Sequence, residues 1–303
     1  MNQMTRREFL SRTRIAVSLA GAAALVPRRL LANPLGLPIG IQLWTVREPL
    51  ASDPAGTFVQ LTKIGYREVE SAGYGRNTPK EFRNFIDAAG LKCPSAHLPF
   101  AKGVDFGPLF DEAHTLGCTF ATSSKLLPPA SNQSTPSSSS ALGIEGFRYI
   151  AELMNEIGAQ AKAAGLRYAY HNHSHEFEVL PDGMIGYDYL LKHTDPELVK
   201  FEIDCGWMTV AGHSPAEYMR KYPGRFRMLH IKDFKPLEKG SATAMHPQAV
   251  GSELGRGYIR YEETFAAAKS AGIQHIFAEQ EPPFAVSQMD SAKADYAYLH
   301  SFS

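Results

Sequence analysis

Apolar and polar positions recur along this chain as one repeated phrase. An amphipathic helical stretch runs to a glycine, and a short β-rich apolar run follows and ends on a polar residue. Leu61–Gly65 leads into Tyr66–Glu70, Asp87–Gly90 into Leu91–His97, Lys162–Gly165 into Leu166–His171, and Lys269–Gly272 into Ile273–Glu279. Glycine just past a helix takes the left-handed conformation that ends it, and the β-rich run then begins a strand. Ile39–Trp44, Cys118–Ser123, Val199–Asp204 and Phe226–Ile231 bring the strands to eight. Strands alternating with helices pair in parallel through right-handed crossovers, and eight strands close a barrel. The expected fold is therefore α/β, a single-domain (β/α)8 TIM barrel over residues 33–303. An open doubly wound sheet is disfavoured because the first strand-to-helix turn, Trp44-Thr-Val-Arg-Glu48, carries no GxGxxG and no phosphate loop.

Three segments break the phrase. Thr5-Arg6-Arg7-Glu8-Phe9-Leu10 precedes an uncharged stretch from Ile15 to Val26, too short for a bilayer and the size of a signal core. The paired arginines followed by Phe and Leu resemble a twin-arginine export signal. Residues 1–32 are expected to be a signal peptide, cleaved after Ala32 or kept as an anchor, with the periplasm as destination. No stable membrane insertion is expected once it is removed. Pro128–Ser140 is a low-complexity connection on the face where barrels place active sites, read as a solvated insertion in preference to a lid. Pro236–Gly257 is a second long loop at that face, expected to help enclose a substrate.

Composition narrows the function. With 303 residues, 44% of them hydrophobic, the chain can bury a large core. Lys plus Arg and Asp plus Glu both number 31, so no net field draws it to a polyanion, and a nucleic-acid partner is not expected. Cys93, Cys118 and Cys205 lie in or beside apolar runs without CxxC spacing and read as small buried hydrophobes.

The chemistry sits at the strand ends. Glu70, His97, Ser123, His171, Asp204, His230 and Glu279 close their strands in turn, and in a barrel such ends converge on one mouth. Imidazoles and carboxylates without thiolates suit one divalent metal, Mn2+, Zn2+, Co2+ or Fe2+.

The chain resembles the sugar phosphate isomerase/epimerase group of xylose-isomerase-like barrels. The likeness rests on Gly40-Ile-Gln-Leu-Trp-Thr-Val-Arg47, Gly65-Tyr-Arg-Glu-Val-Glu70, Tyr170-His-Asn-His-Ser-His-Glu-Phe177, Phe201-Glu-Ile-Asp-Cys-Gly-Trp207, Leu229-His-Ile-Lys-Asp233, Gly255-Arg-Gly-Tyr-Ile259 and Ala278-Glu-Gln280. In that family's epimerases, Glu, Asp, His and Glu from strands five to eight hold one metal, and the two glutamates move protons beside a carbonyl. The resemblance places Asp204, His230 and Glu279 on the last three positions. At the first, this chain has His171 where the epimerases have Glu, and the next carboxylate is Glu176. Either His171 is the fourth ligand and Glu176 a supporting or acid/base group, or Glu176 itself reaches the metal; His171 is preferred because it stands at the strand end.

The metal would polarise a carbonyl and stabilise an enediolate as a proton leaves the neighbouring carbon. Glu279 is the expected proton carrier, with Glu176 and Lys232 as further catalytic candidates. Trp44, Glu70, His97, His173 and Trp207 are candidate substrate contacts. Glu202 shares a strand face with Asp204 one layer deeper and calls for a buried charged partner. The expected function is metal-dependent sugar isomerisation or epimerisation on a small carbohydrate. A lyase or hydrolase of 3-keto-glycosides is the alternative, and a barrel that only binds carbohydrate the second.

Overall fold

Alternation along each strand sorts its residues between two surfaces, one facing the surrounding helices and one facing inward. In the computed structural model, which describes residues 35–126, 142–236 and 249–302, the strands are β1 (Ile39–Gln42), β2 (Glu68–Ser71), β3 (Lys92–His97), β4 (Phe120–Ser123), β5 (Arg167–His171), β6 (Val199–Asp204), β7 (Phe226–Ile231) and β10 (His275–Ala278). They form a closed parallel barrel in the order β1-β10-β7-β6-β5-β4-β3-β2. A short antiparallel hairpin, β8 (Asp233–Phe234) with β9 (Gly251–Ser252), stands after β7. The expected leader, the Pro128–Ser140 connection and residues 237–248 of the second long loop lie outside the described residues. No helix among the described residues is long and apolar enough to cross a membrane.

Ile41, Val69, Ala96, Ala121, Tyr168, Ile203, Leu229 and Ile276 are buried in the main core cluster. Phe120, Ala169, Met228 and Phe277 form a second apolar cluster, a plug across the barrel interior. Gly40, paired with Phe277 across β1 and β10, makes room for that plug, since a Cβ on it would lie 2.5 Å from the Phe277 ring.

Several strands begin later than the apolar pattern suggests. After three of the helices the backbone N–H beyond the glycine turns back to close the helix end: Leu91 donates to Ile86 at 3.1 Å, Cys118 to Ala113 at 2.9 Å and Leu166 to Ala161 at 2.8 Å. Those residues cannot also pair in the sheet. At the other end, β1 stops at Gln42, whose side chain accepts from Trp44 N and starts a 3-10 turn over Leu43–Val46, so Trp44 lies beyond the strand. The three cysteines are buried free thiols.

Candidate metal centre at the barrel mouth

Parallel pairing sets the ends of β5, β6, β7 and β10 side by side around one arc of the barrel. Asp204 pairs with His230, and Phe277, two residues before Glu279, pairs with His230 on its other side. One donor atom from each of His171, Asp204, His230 and Glu279 lies within 4.8 Å of every other, and all four residues are buried. Asp204 divides its carboxylate between two tasks. Its Oδ1 accepts from Trp207 N at 2.8 Å, capping the helix Cys205–Val210, whereas the buried Oδ2 faces the Lys232 ammonium at 2.8 Å. That oxygen stands among two imidazoles, a second carboxylate and one ammonium, and the gathered set of two imidazoles and two carboxylates is a donor set that fits a divalent cation.

The electrostatics agree. Burial, reinforced by the neighbouring imidazoles, pushes His171 well below the ordinary histidine value and leaves it a neutral imidazole. Burial raises Asp204 to about 6 against the pull of Lys232. Burial also opposes the charge on Glu279, but the Lys232 ammonium and His230 outweigh it and hold that carboxyl below its usual range. Lys232 does not pair with Asp233: its Nζ lies 2.8 Å from Asp204 Oδ2, 3.0 Å from Glu279 Oε2 and 2.5 Å from Glu281 Oε1. The carboxylates that would face the cation are thus shared with an ammonium.

Beneath the four lies a second polar layer. Glu70 is fully buried, not open to a substrate: His230 Nε2 donates to its Oε2 at 2.6 Å, Gln42 Nε2 at 2.8 Å, and Ser95 donates to its Oε1 at 2.6 Å. Glu202, in the deeper position expected for it, faces His171 Nδ1 at 3.1 Å. His97 stands between the two glutamates. Burial disfavours its charge, but Glu70 and Glu202 push it up to about 10.

Glu176 does not join the cluster of four. Its carboxylate is buried, accepting from Tyr170 OH at 2.7 Å and His173 N at 2.8 Å, because the chain turns after β5 into a 3-10 turn over His175–Phe177. His173 lines the cleft, and its Nδ1 has no partner. The cleft, about 700 Å3, is also lined by Gln42, Trp44, His97, His171, Glu279 and Glu281. Trp44 stands at its rim, 46% exposed, with the Arg47 guanidinium 4.8 Å from the ring centre. Trp207 is half-buried against Phe234, and its Nε1 donates to Glu281 at 3.1 Å.

Sequence reading missed Glu281 and Asp233. Asp233 accepts four backbone N–H groups, from Phe234, Gly255, Gly257 and Ile259, at 2.9 to 3.1 Å. Gly257 permits this approach, since a Cβ there would lie 2.1 Å from Asp233 Oδ1. The signal was the glycine-rich Gly255-Arg-Gly257, whose exposed amides call for an anion.

A family model described as xylose isomerase-like TIM barrel matches residues 58–299. The chain is similar to an inosose dehydratase of Clostridium perfringens, 31% identical over 154 residues, covering 48% of this chain and 51% of that protein. It spans about half the length of the curated relatives it first matches. A solved sugar phosphate isomerase/epimerase from Parabacteroides distasonis superposes with a TM-score of 0.68 at 25% identity, covering 87% of this chain and 93% of that one. A xylose isomerase-like TIM barrel protein from Mycobacterium smegmatis, solved in complex with magnesium, shares the fold with a TM-score of 0.60 at 16% identity over 88% and 97% of the two chains.

Proposed function

Because the chain belongs to the xylose isomerase-like TIM-barrel family, we propose that it is a metal-dependent lyase that eliminates water or an alcohol from a cyclic keto-polyol or keto-sugar. The observation that carries this reading is His171. Where the family's epimerases are expected to have a second proton-moving glutamate, this chain has an imidazole with Nδ1 turned to Glu202 and Nε2 turned to Asp204, 3.6 Å away. The nearest carboxylate of that segment, Glu176, is buried in other bonds. One carboxylate proton carrier suffices for elimination, whereas inversion of a carbon calls for a group on each face.

His171, Asp204, His230 and Glu279 would hold the cation, which supplies Lewis acidity toward a carbonyl oxygen. Glu279, held ionised at the cleft, takes the proton from the carbon next to that carbonyl. The electron pair forms a C=C bond as the β C–O bond breaks, and the same proton returns to the departing oxygen as water or alcohol. Glu281, which lines the cleft, binds substrate hydroxyls, and the Lys232 ammonium holds its carboxylate in place. The similarity to inosose dehydratases supports this chemistry, and the Parabacteroides neighbour supports epimerisation as the second reading.

The test is incubation of metal-loaded protein with inososes and 3-keto-glycosides in deuterium oxide. Growth of enone absorbance with loss of water or aglycone is expected. Deuterium at a stereocentre of recovered substrate, with no oxygen lost, would sink the lyase reading and favour epimerisation. Export rests on the Arg6-Arg7 leader and is tested by N-terminal sequencing of the periplasmic protein.

A further inference from the structure

Both ligand imidazoles show one nitrogen to the cluster of four and the other to a carboxylate. His230 turns Nδ1 to Glu279 at 2.6 Å and Nε2 to Glu70 at 2.6 Å. His171 turns Nε2 toward Asp204 and Nδ1 to Glu202. The two backing carboxylates belong to strands on opposite arcs of the barrel, β2 and β6, yet they meet at a single atom. His97 Nε2, from β3, lies 3.2 Å from Glu70 Oε2 and 3.2 Å from Glu202 Oε2. Its ring stacks on His230 at 5.7 Å between centres and leans on His171 at 5.1 Å.

We propose that His97 is the positioning residue of the centre: its Nε2–H bridges Glu70 and Glu202 and so holds both ligand imidazoles in one tautomer and one orientation. A carboxylate that accepts from a ligand imidazole fixes which nitrogen carries the proton and sharpens the aim of the other. Each backing glutamate needs its own restraint. Glu70 has Gln42 and Ser95 on its free sides. Glu202 has no such clamp, since its Oε1 is buried without a partner. All its restraint comes through Oε2, from His97, His171 and His230, the last at 3.1 Å. Removing the His97 N–H therefore leaves Glu202 held only by the ligands it is meant to orient, with a second carboxylate oxygen facing it across the gap.

The inference rests on the metal reading of the centre, and its test separates the two. Zn2+ affinity is measured by competition with a chromophoric chelator, and the visible spectrum of the Co2+ form reports ligand geometry. His97→Leu, which has no N–H, is expected to lose roughly 10- to 100-fold in Zn2+ affinity and to change the Co2+ bands; His97→Gln, which keeps a donor near the Nε2 position, is expected within about 3-fold of the parent. Metal-free thermal melts show that each variant is folded. Should His97→Leu fail to fold, Glu202→Gln gives the parallel test, with altered Co2+ bands expected. A folded His97→Leu with parental affinity and spectrum, or an equal loss in His97→Gln, overturns the positioning role while leaving the metal centre standing. A parent protein that binds neither ion overturns both.

Discussion

Asp295, in the C-terminal helix Gln288–Ser301, offers a stability test that does not depend on any ligand. It is buried, and while its Oδ1 accepts from Leu254 N at 2.8 Å, its Oδ2 has no partner. Burial, with the charges of Glu253 and Asp233 behind it, raises its carboxyl from 3.8 to about 7 against the pull of the Leu254 amide. The folded chain thus keeps a proton that the unfolded chain gives up. Its contribution to stability is fully present below pH about 4, falls as pH rises toward about 7, and is gone above that. At about 1.4 kcal/mol per pH unit, that contribution amounts to ~4 kcal/mol. Asp295→Asn keeps an oxygen for Leu254 and puts an uncharged amide where the unpartnered Oδ2 stands. The variant is expected to match the parent near pH 4 and to exceed it by up to ~4 kcal/mol at pH 8. Urea unfolding of the metal-free proteins at several pH values, followed by circular dichroism, measures this. A variant no more stable than the parent at pH 8, or one whose advantage is the same at pH 4, refutes the argument.

Dialysis against a strong chelator is expected to abolish turnover, and about one equivalent of Mn2+, Zn2+, Co2+ or Fe2+ to restore it, as steady-state assays would show. Trp44→Ala removes the exposed ring at the cleft rim and is expected to raise KM about 5-fold with kcat little changed, the kinetic sign of lost ring contact worth ~1 kcal/mol. Asp233→Asn weakens two of the three amide contacts that pin Gly255 to Ile259 and is expected to cost about 2–4 kcal/mol in thermal melts, with faster proteolysis near that loop.

The barrel was legible because its repeat is written twice, in the helix-ending glycines and in the apolar runs after them. Strand starts were less so, since Leu91, Cys118 and Leu166 look like strand residues yet spend their amides closing the preceding helix. At the site, a polar residue ending an otherwise apolar strand pointed to His171, Asp204, His230 and Glu279, which the fold gathers. The same rule placed Glu70 and His97 at the cleft, and His97 does line it, but strand ends in a barrel are staggered. Glu70 consequently lies below its neighbours, against Gln42 and Ser95. Glu281 escaped notice because it follows the last strand by three residues, in a segment with no period to reveal which way it faces.

The plug of Phe120, Ala169, Met228 and Phe277 gives the barrel a blind end. The cleft lined by Gln42, Trp44, His97, His171 and Glu279 is then the approach to the four gathered side chains.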